Sequence, residues 1–296
     1  MIAPDATIGF VGTGVMGRSM AGHLMDAGYR LRVNNRTRLK AEPLLERGAV
    51  WCETVADVAE GASAVITMVG YPVDVEQVYL GSGGLVECAA PGTVLIDMTT
   101  SSPVLATRVH AAAASAGVRA VDAPVSGGDV GARDARLTIM VGGDADAFAH
   151  VEPLLRVMGP NVVLQGGPGA GQHTKMSNQL AIAGCMLGVC EALAYAEGAG
   201  LDPALVLSSI GAGSAGSWSL ANYAPRMLSG DFAPGFYVKH FIKDMRIALD
   251  SARELGIDLP GLEVLLALYE RLAERGGAEK GTQALYLLYK EHAAGL

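Results

Sequence analysis

The sequence predicts a doubly wound α/β domain followed by an all-helical domain. Three observations carry this. Short apolar runs alternate with amphipathic helical segments through the first half. A glycine-rich turn separates the first such run from the first helix. From Gln172 onward only helical patterns remain. With 296 residues, half of them hydrophobic and 18% charged, the chain has core enough for one large or two ordinary domains. Its 39 glycines stand singly rather than in a repeat, which excludes collagen-like and low-complexity readings.

The predicted strands are Thr7–Val11, Tyr29–Asn34, Ala64–Val69, Val94–Asp97, Arg119–Val121, Leu137–Val141 and Val162–Leu164. Between them, Met16–Ala27, Leu39–Gly48, Val73–Tyr79, Pro103–Ala116 and Ala145–Met158 show helical periodicity. Such alternation implies a mostly parallel sheet covered on both faces. Helices follow at about 172–198, 203–211, 219–229, 239–255, 259–274 and 281–293, with Pro203, Pro225, Pro234 and Pro260 at starts and breaks. The glycines at 166, 167 and 169 mark the boundary, giving domains 1–168 and 169–296. The longest uncharged apolar run, Leu180–Cys190, is shorter than the ~20 residues a bilayer requires and ends at Glu191, so it reads as a buried helix rather than a membrane span.

A formal net charge of −8 excludes general nucleic-acid binding through a basic surface. Against it, Arg32, Arg36, Arg38 and Lys40 crowd into nine residues, a cluster suited to a small anion or to a solvated loop. Cys52, Cys88, Cys185 and Cys190 form no CxxC pair, and no basic leader precedes Pro4 and Asp5, so a cytoplasmic protein with reduced thiols is expected. Histidines at 23, 110, 150, 173, 240 and 292 lack metal-ligand spacing, and no metal is expected.

Gly12-Thr13-Gly14-Val15-Met16-Gly17 is a GxGxxG turn in the setting that makes the motif specific, after a strand and opening a helix. Gly12 permits the tight turn, Gly14 admits a pyrophosphate to the backbone, and Gly17 allows helix and strand to pack closely. The phosphates would meet free N–H groups at the helix's positive end. Where NAD sites carry an acid for the ribose hydroxyl, about 20 residues on, this chain reads Asn34-Asn35-Arg36-Thr37. A guanidinium binds a 2′-phosphate that a carboxylate would repel. Asn35, Arg36 and Thr37 therefore favour NADP, with NAD, and Arg36 stacked on adenine, as the less favoured alternative.

Ile8–Leu24 (IGFVGTGVMGRSMAGHL) resembles the opening of 3-hydroxyisobutyrate dehydrogenases and their β-hydroxyacid dehydrogenase relatives. Asp122–Gly131 (DAPVSGGDVG), Gly169–Gln179 (GAGQHTKMSNQ) and Phe241–Met245 (FIKDM) match the same family in the same order. The resemblance runs over essentially the whole chain. It implies a Rossmann domain, a long interdomain helix, a helical C-terminal domain with a cleft between the two, and a homodimer or homotetramer.

Lys175 matches the family's catalytic lysine. Hydride delivery to a carbonyl leaves charge on oxygen, which a positioned ammonium can protonate; in oxidation a neutral lysine takes up the proton. Taken alone, a lysine here would read as a first-turn surface residue covering apolar area with its stem. Ser126-Gly127-Gly128 resembles the family's substrate-carboxylate loop, and by shape is equally an ordinary strand-to-helix turn. Asn178 and Gln179 share a helical face with Lys175 and fall at the family's substrate positions, where Asn-Asn is usual and Gln179 is a departure. Thr100 resembles a threonine that contacts the nicotinamide half, or caps a helix before Pro103. Lys243 matches another family lysine near the cofactor, or is a helix-surface charge. Val69 and Gly70 line the cofactor or simply turn the chain. Trp218, between Ser217 and Ser219, reads equally as pocket residue and as buried core.

These residues imply an NADP-dependent oxidoreductase interconverting a small carboxylate-bearing 3-hydroxy acid and its semialdehyde. Two other readings compete with it. One is an imine reductase on the same scaffold, against which Lys175 counts. The other is a non-catalytic NADPH-binding sensor, since a fold does not by itself specify function.

Overall fold

The computed structural model describes residues 2–293, with side chains through Lys290. Residues 1 and 294–296, the extremes of the two expected domains, and the side chain of His292 lie outside the described residues.

The chain forms two compact units, Met1–Lys175 and Met176–Leu296. The first is built on one sheet of β1 (Thr7–Val11), β2 (Arg30–Asn34), β3 (Val50–Trp51), β4 (Ala64–Thr67), β5 (Val94–Asp97), β6 (Arg119–Asp122), β7 (Val125–Ser126), β8 (Thr138–Gly142) and β9 (Asn161–Gly166). Its order is 3-2-1-4-5-6-8-7, with β9 paired to β8. Pairing is parallel from β3 across to β6. It turns antiparallel where β8 meets β6 and β7, then parallel again to β9. The first six strands thus follow the order of a dinucleotide-binding sheet, in which the strand order reverses between β1 and β4.

The near-continuous apolar sequences of β4 (AVIT) and β5 (VLID) follow from burial on both faces. Successive side chains alternate between two cores. Ile66 and Ile96 join Phe10, Met20 and Leu24 on one side, while Val65 and Leu95 join Val58, Tyr79 and Val109 on the other. The two-residue strands β3 and β7, and the short helices Val55–Ala59, Leu85–Cys88 and Gly128–Arg133, carry too few residues to show a period, and the sequence did not reveal them. The helix expected over 39–48 is split into a 3-10 turn, Arg38–Lys40, and a helix, Glu42–Leu45. Pro43 at the start of the latter cannot donate to a preceding turn.

The second unit contains the helices Pro203–Ile210, Trp218–Leu228, Val238–Glu254, Pro260–Leu272 and Leu287–Ala293, and among the described residues no strand. Pro203 and Pro260 open their helices, whereas Pro225, expected at a break, lies inside Trp218–Leu228. The segment expected as one helix from 281 begins with a 3-10 turn, Thr282–Tyr286. Its core gathers Met186, Cys190, Leu193, Met245 and the edge-to-face rings of Phe241 and Tyr269, with centroids 5.1 Å apart.

One helix, Ala170–Gly198, passes from the first unit into the second. Its first turn is bound to the sheet, because Asp122 at the end of β6 accepts from the backbone N–H groups of Gly169 and Gln172, each at 2.8 Å. That approach is so close that a Cβ on Gly171 would stand 2.4 Å from the Met140 carbonyl oxygen. The two units divide within this helix, between Lys175 and Met176. The helix is long and apolar enough by composition to cross a membrane. Its hydropathy is matched by burial of Met176, Ala183, Met186, Val189, Cys190 and Leu193 in the helical core.

Candidate active site

The parallel strands of the first unit end together, and the sequence-predicted residues of that unit follow their C-terminal ends, where ligands of such sheets bind. Gly12 leaves β1 with φ +97°, and a Cβ there would stand 2.2 Å from the Met68 carbonyl oxygen. A Cβ on Gly17 would lie 2.0 Å from the oxygen of Gly12. Both glycines are thus required by the protein's own packing. Gly14 is different. A Cβ there would meet nothing within 4 Å, and the backbone, at φ −69° and ψ −161°, suits any residue. Space at the N-terminus of Val15–Asp26, whose first turn holds no acid and whose Val15 is 60% exposed, fits a phosphate group approaching the backbone. Met16 turns inward against the core.

After β2, Asn35 does two things. Its Oδ1 accepts from the Thr13 backbone N–H at 3.0 Å, and its Nδ2 donates to the Thr37 carbonyl at 2.8 Å, tying the glycine turn to the Arg36 loop. Within the basic cluster, Arg32 pairs with Glu60 at 3.0 Å, while Arg38 lies 3.6 Å from Glu42, 3.7 Å from Glu53 and over the Trp51 ring. Arg36 and Thr37 are exposed, and among the described residues no carboxylate pairs with Arg36. The cluster read from sequence therefore narrows to Arg36 and Lys40.

Beyond β4 and β5 lies a buried polar network. Thr99 Oγ1 accepts from the Val69 N–H at 3.0 Å, and Asp97 Oδ1 accepts from the Thr99 N–H at 3.0 Å. Gln172, fully buried, accepts from the Ser101 N–H at 2.9 Å and donates to the Thr99 carbonyl at 2.7 Å. Val69, Gly70 and Thr100 line this edge half-buried. The capping role open to Thr100 belongs instead to Ser102, whose Oγ accepts from Leu105 N–H. Asp122 joins the same network at 5% exposure. Burial raises its carboxyl above the usual range, and the N–H groups of Gly169 and Gln172 pull it back.

Lys175 stands one turn beyond Gln172 and is 6% exposed, which sets aside the surface-lysine alternative. Ser126 is half-buried at the end of β7, and the next two residues turn through φ +134° at Gly127 and +62° at Gly128, where a side chain would be strained.

Asn178, Gln179 and Lys243 belong to the second unit and form a cluster of their own. Asn178 Nδ2 donates to Gln179 Oε1 at 2.8 Å, and Gln179 Nε2 donates to Asp244 Oδ2 at 2.5 Å. Lys243 Nζ lies 3.1 Å from Asp244 Oδ1, an ion pair without hydrogen-bond angles. One turn earlier, burial first and then the charges of Lys243 and Lys239 hold His240 below the usual imidazole value. Trp218 is 66% exposed, edge-on to Tyr223, so it is not core. Sequence reasoning assigned no role to Thr99, Gln172, Asp122 or Asp244. Their signal was a polar residue closing an apolar run or standing inside a matched motif.

Residues 7–167 match the family described as the NAD binding domain of 6-phosphogluconate dehydrogenase, and residues 169–289 that of NADP-dependent 3-hydroxyisobutyrate dehydrogenase. The chain belongs to the 3-hydroxyisobutyrate dehydrogenase family. It is an NAD(P)-dependent oxidoreductase of the β-hydroxyacid kind, acting on CH–OH groups. An uncharacterized oxidoreductase of Bacillus subtilis is 55% identical over 96% of this chain and 98% of its own length. The 2-hydroxy-3-oxopropionate reductase of Escherichia coli is 38% identical over 94% and 95%. A solved 3-hydroxyisobutyrate dehydrogenase of Mycobacterium tuberculosis, with L-serine, superposes with a TM-score of 0.89 at 30% identity, covering 96% of this chain and 99% of that one.

Proposed function

We propose that this 3-hydroxyisobutyrate dehydrogenase relative prefers NADP and interconverts a small 3-hydroxy acid and its semialdehyde, with Lys175 as proton donor and acceptor. The observation that carries this reading is the burial of Lys175. Lys175 is 6% exposed, an uncommon place for a lysine, and it follows a helix start locked to the sheet by Asp122 and Gln172.

Gly12–Gly17, Asn35–Thr37, Val69, Gly70 and Thr100 would hold a nicotinamide dinucleotide, which would supply or take up the hydride. The residues do the rest. Gly14 leaves room for the pyrophosphate, and Arg36 receives the 2′-phosphate through its guanidinium. Ser126, Gly127 and Gly128 bind the substrate carboxylate by hydroxyl and backbone N–H groups. Lys175 gives a proton to the oxygen that gains charge in reduction, and accepts the hydroxyl proton in oxidation.

Support for a homodimer or homotetramer comes from apolar side chains at the surface of the helical unit, with Tyr195 78%, Leu205 66% and Trp218 66% exposed. Four free cysteines accord with a reducing, cytoplasmic compartment.

Replacing Lys175 by Ala or Met tests the mechanism. Turnover on a panel of short hydroxy acids and semialdehydes should fall by roughly 10²–10⁴, while NADPH binding, read by fluorescence titration, stays intact. Turnover equal to wild type would remove Lys175 from the chemistry.

A further inference from the structure

We infer that Gln179 is a positioning residue, whose amide holds the Asp244–Lys243 ion pair and sets the polarity of Asn178, rather than a group that meets substrate. The bond directions follow from donor chemistry. An ionised carboxylate only accepts hydrogen bonds, so Gln179 must turn its NH₂ toward Asp244 and its carbonyl toward Asn178. Asn178, having spent an N–H on Gln179, keeps Oδ1 as its remaining acceptor.

Asp244 is 1% exposed, and a carboxylate that buried needs both a counter-charge and hydrogen bonds. Lys243, its side chain 12% exposed, supplies the first at 3.1 Å, and Gln179 supplies the second. Gln179 is itself 2% exposed, with its carbonyl and one N–H engaged inside the helical unit. An asparagine at this position is shorter by one C–C bond, ~1.5 Å, and would not span to Asp244 from the same backbone. The departure from Asn-Asn thus adds a brace that a shorter amide would not provide. Its effect on the cofactor rests on the reading of Lys243 given above.

The test compares wild type with Gln179→Met, Gln179→Asn, Lys243→Met and the double variant Gln179→Met/Lys243→Met. The acetylation rate of Lys243 by acetic anhydride is read by peptide mass spectrometry, with exposed Lys280 as internal reference, and the NADPH dissociation constant is titrated separately. Loss of one charge-assisted hydrogen bond should speed Lys243 labelling roughly tenfold in Gln179→Met. NADPH should bind more weakly, and the double variant no more weakly than Lys243→Met alone. Gln179→Asn keeps an amide should the methionine variant fail to fold, and it should label faster for the same reason. Unchanged labelling overturns the proposal, as does a rise confined to the KM of the hydroxy acid. Faster labelling with NADPH affinity unmoved by Lys243→Met upholds the brace and removes Lys243 from the cofactor site instead.

Discussion

Alanine at Gly14 and alanine at Gly17 should fail in opposite ways, although the two glycines share one motif. A Cβ on Gly17 would sit 2.0 Å from the Gly12 oxygen and 3.1 Å from Phe10 Cε1. Ordinary close C···O contacts are about 3.3 Å, so the helix Val15–Asp26 must move off β1. Overpacking of that kind costs about 1–3 kcal/mol. At roughly 2–4 °C per kcal/mol for a domain of this size, the melting temperature should fall by roughly 2–12 °C. A Cβ on Gly14 meets nothing within 4 Å, and its backbone suits alanine. Losing a glycine from the unfolded chain gains about 0.4–1 kcal/mol, so Gly14→Ala should melt at or slightly above wild type. Under the proposed function the added methyl enters the space of the pyrophosphate, and NADPH should bind tenfold or more weakly, about 1.4 kcal/mol per decade. Melting of the ligand-free protein by circular dichroism and a fluorescence titration with NADPH read the two effects separately. If Gly14→Ala binds NADPH like wild type, or melts as low as Gly17→Ala, the assignment of that space to a ligand is wrong.

Exchanging Arg36 for Asp should move the ratio of kcat/KM from NADPH toward NADH, since a carboxylate repels the 2′-phosphate and accepts from a 2′-hydroxyl; a wild-type preference for NADH would refute the NADP reading. Asp122 supplies a pH test. Burial raises its carboxyl above the unfolded value of 3.8, so the fold holds the proton more tightly than the unfolded chain does. Wild type should therefore lose stability relative to Asp122→Asn as pH rises from 3.8 through the raised value of the folded protein. A difference in melting temperature that stays flat across that window would mean the raised value is wrong.

The glycine turn, the strands β1, β4 and β5, and the change to helices after Gln172 were legible because each is written locally. A turn needs its glycine at one position, and a strand buried on both faces reads as a continuous apolar run. The two-residue strands β3 and β7 and the helix Gly128–Arg133 were not legible, because they owe their existence to neighbours rather than to a period. In the site, Lys175 and the Ser126–Gly128 turn stood out only through motif resemblance. The surface-lysine alternative for Lys175 fell on its burial, and core packing for Trp218 fell on its exposure.

What the sequence determined alone was therefore the succession of the longer elements, the place of the glycine turn and the absence of an acid after β2. What only the tertiary structure decided was which polar groups are buried and paired. Gln172 reaches the Ser101 backbone across 71 residues, and Gln179 reaches Asp244 across 65. No local period records such partners. The free energy of a buried amide or carboxylate depends on what the fold brings within 3 Å of it, and that is set by the packing of the whole unit.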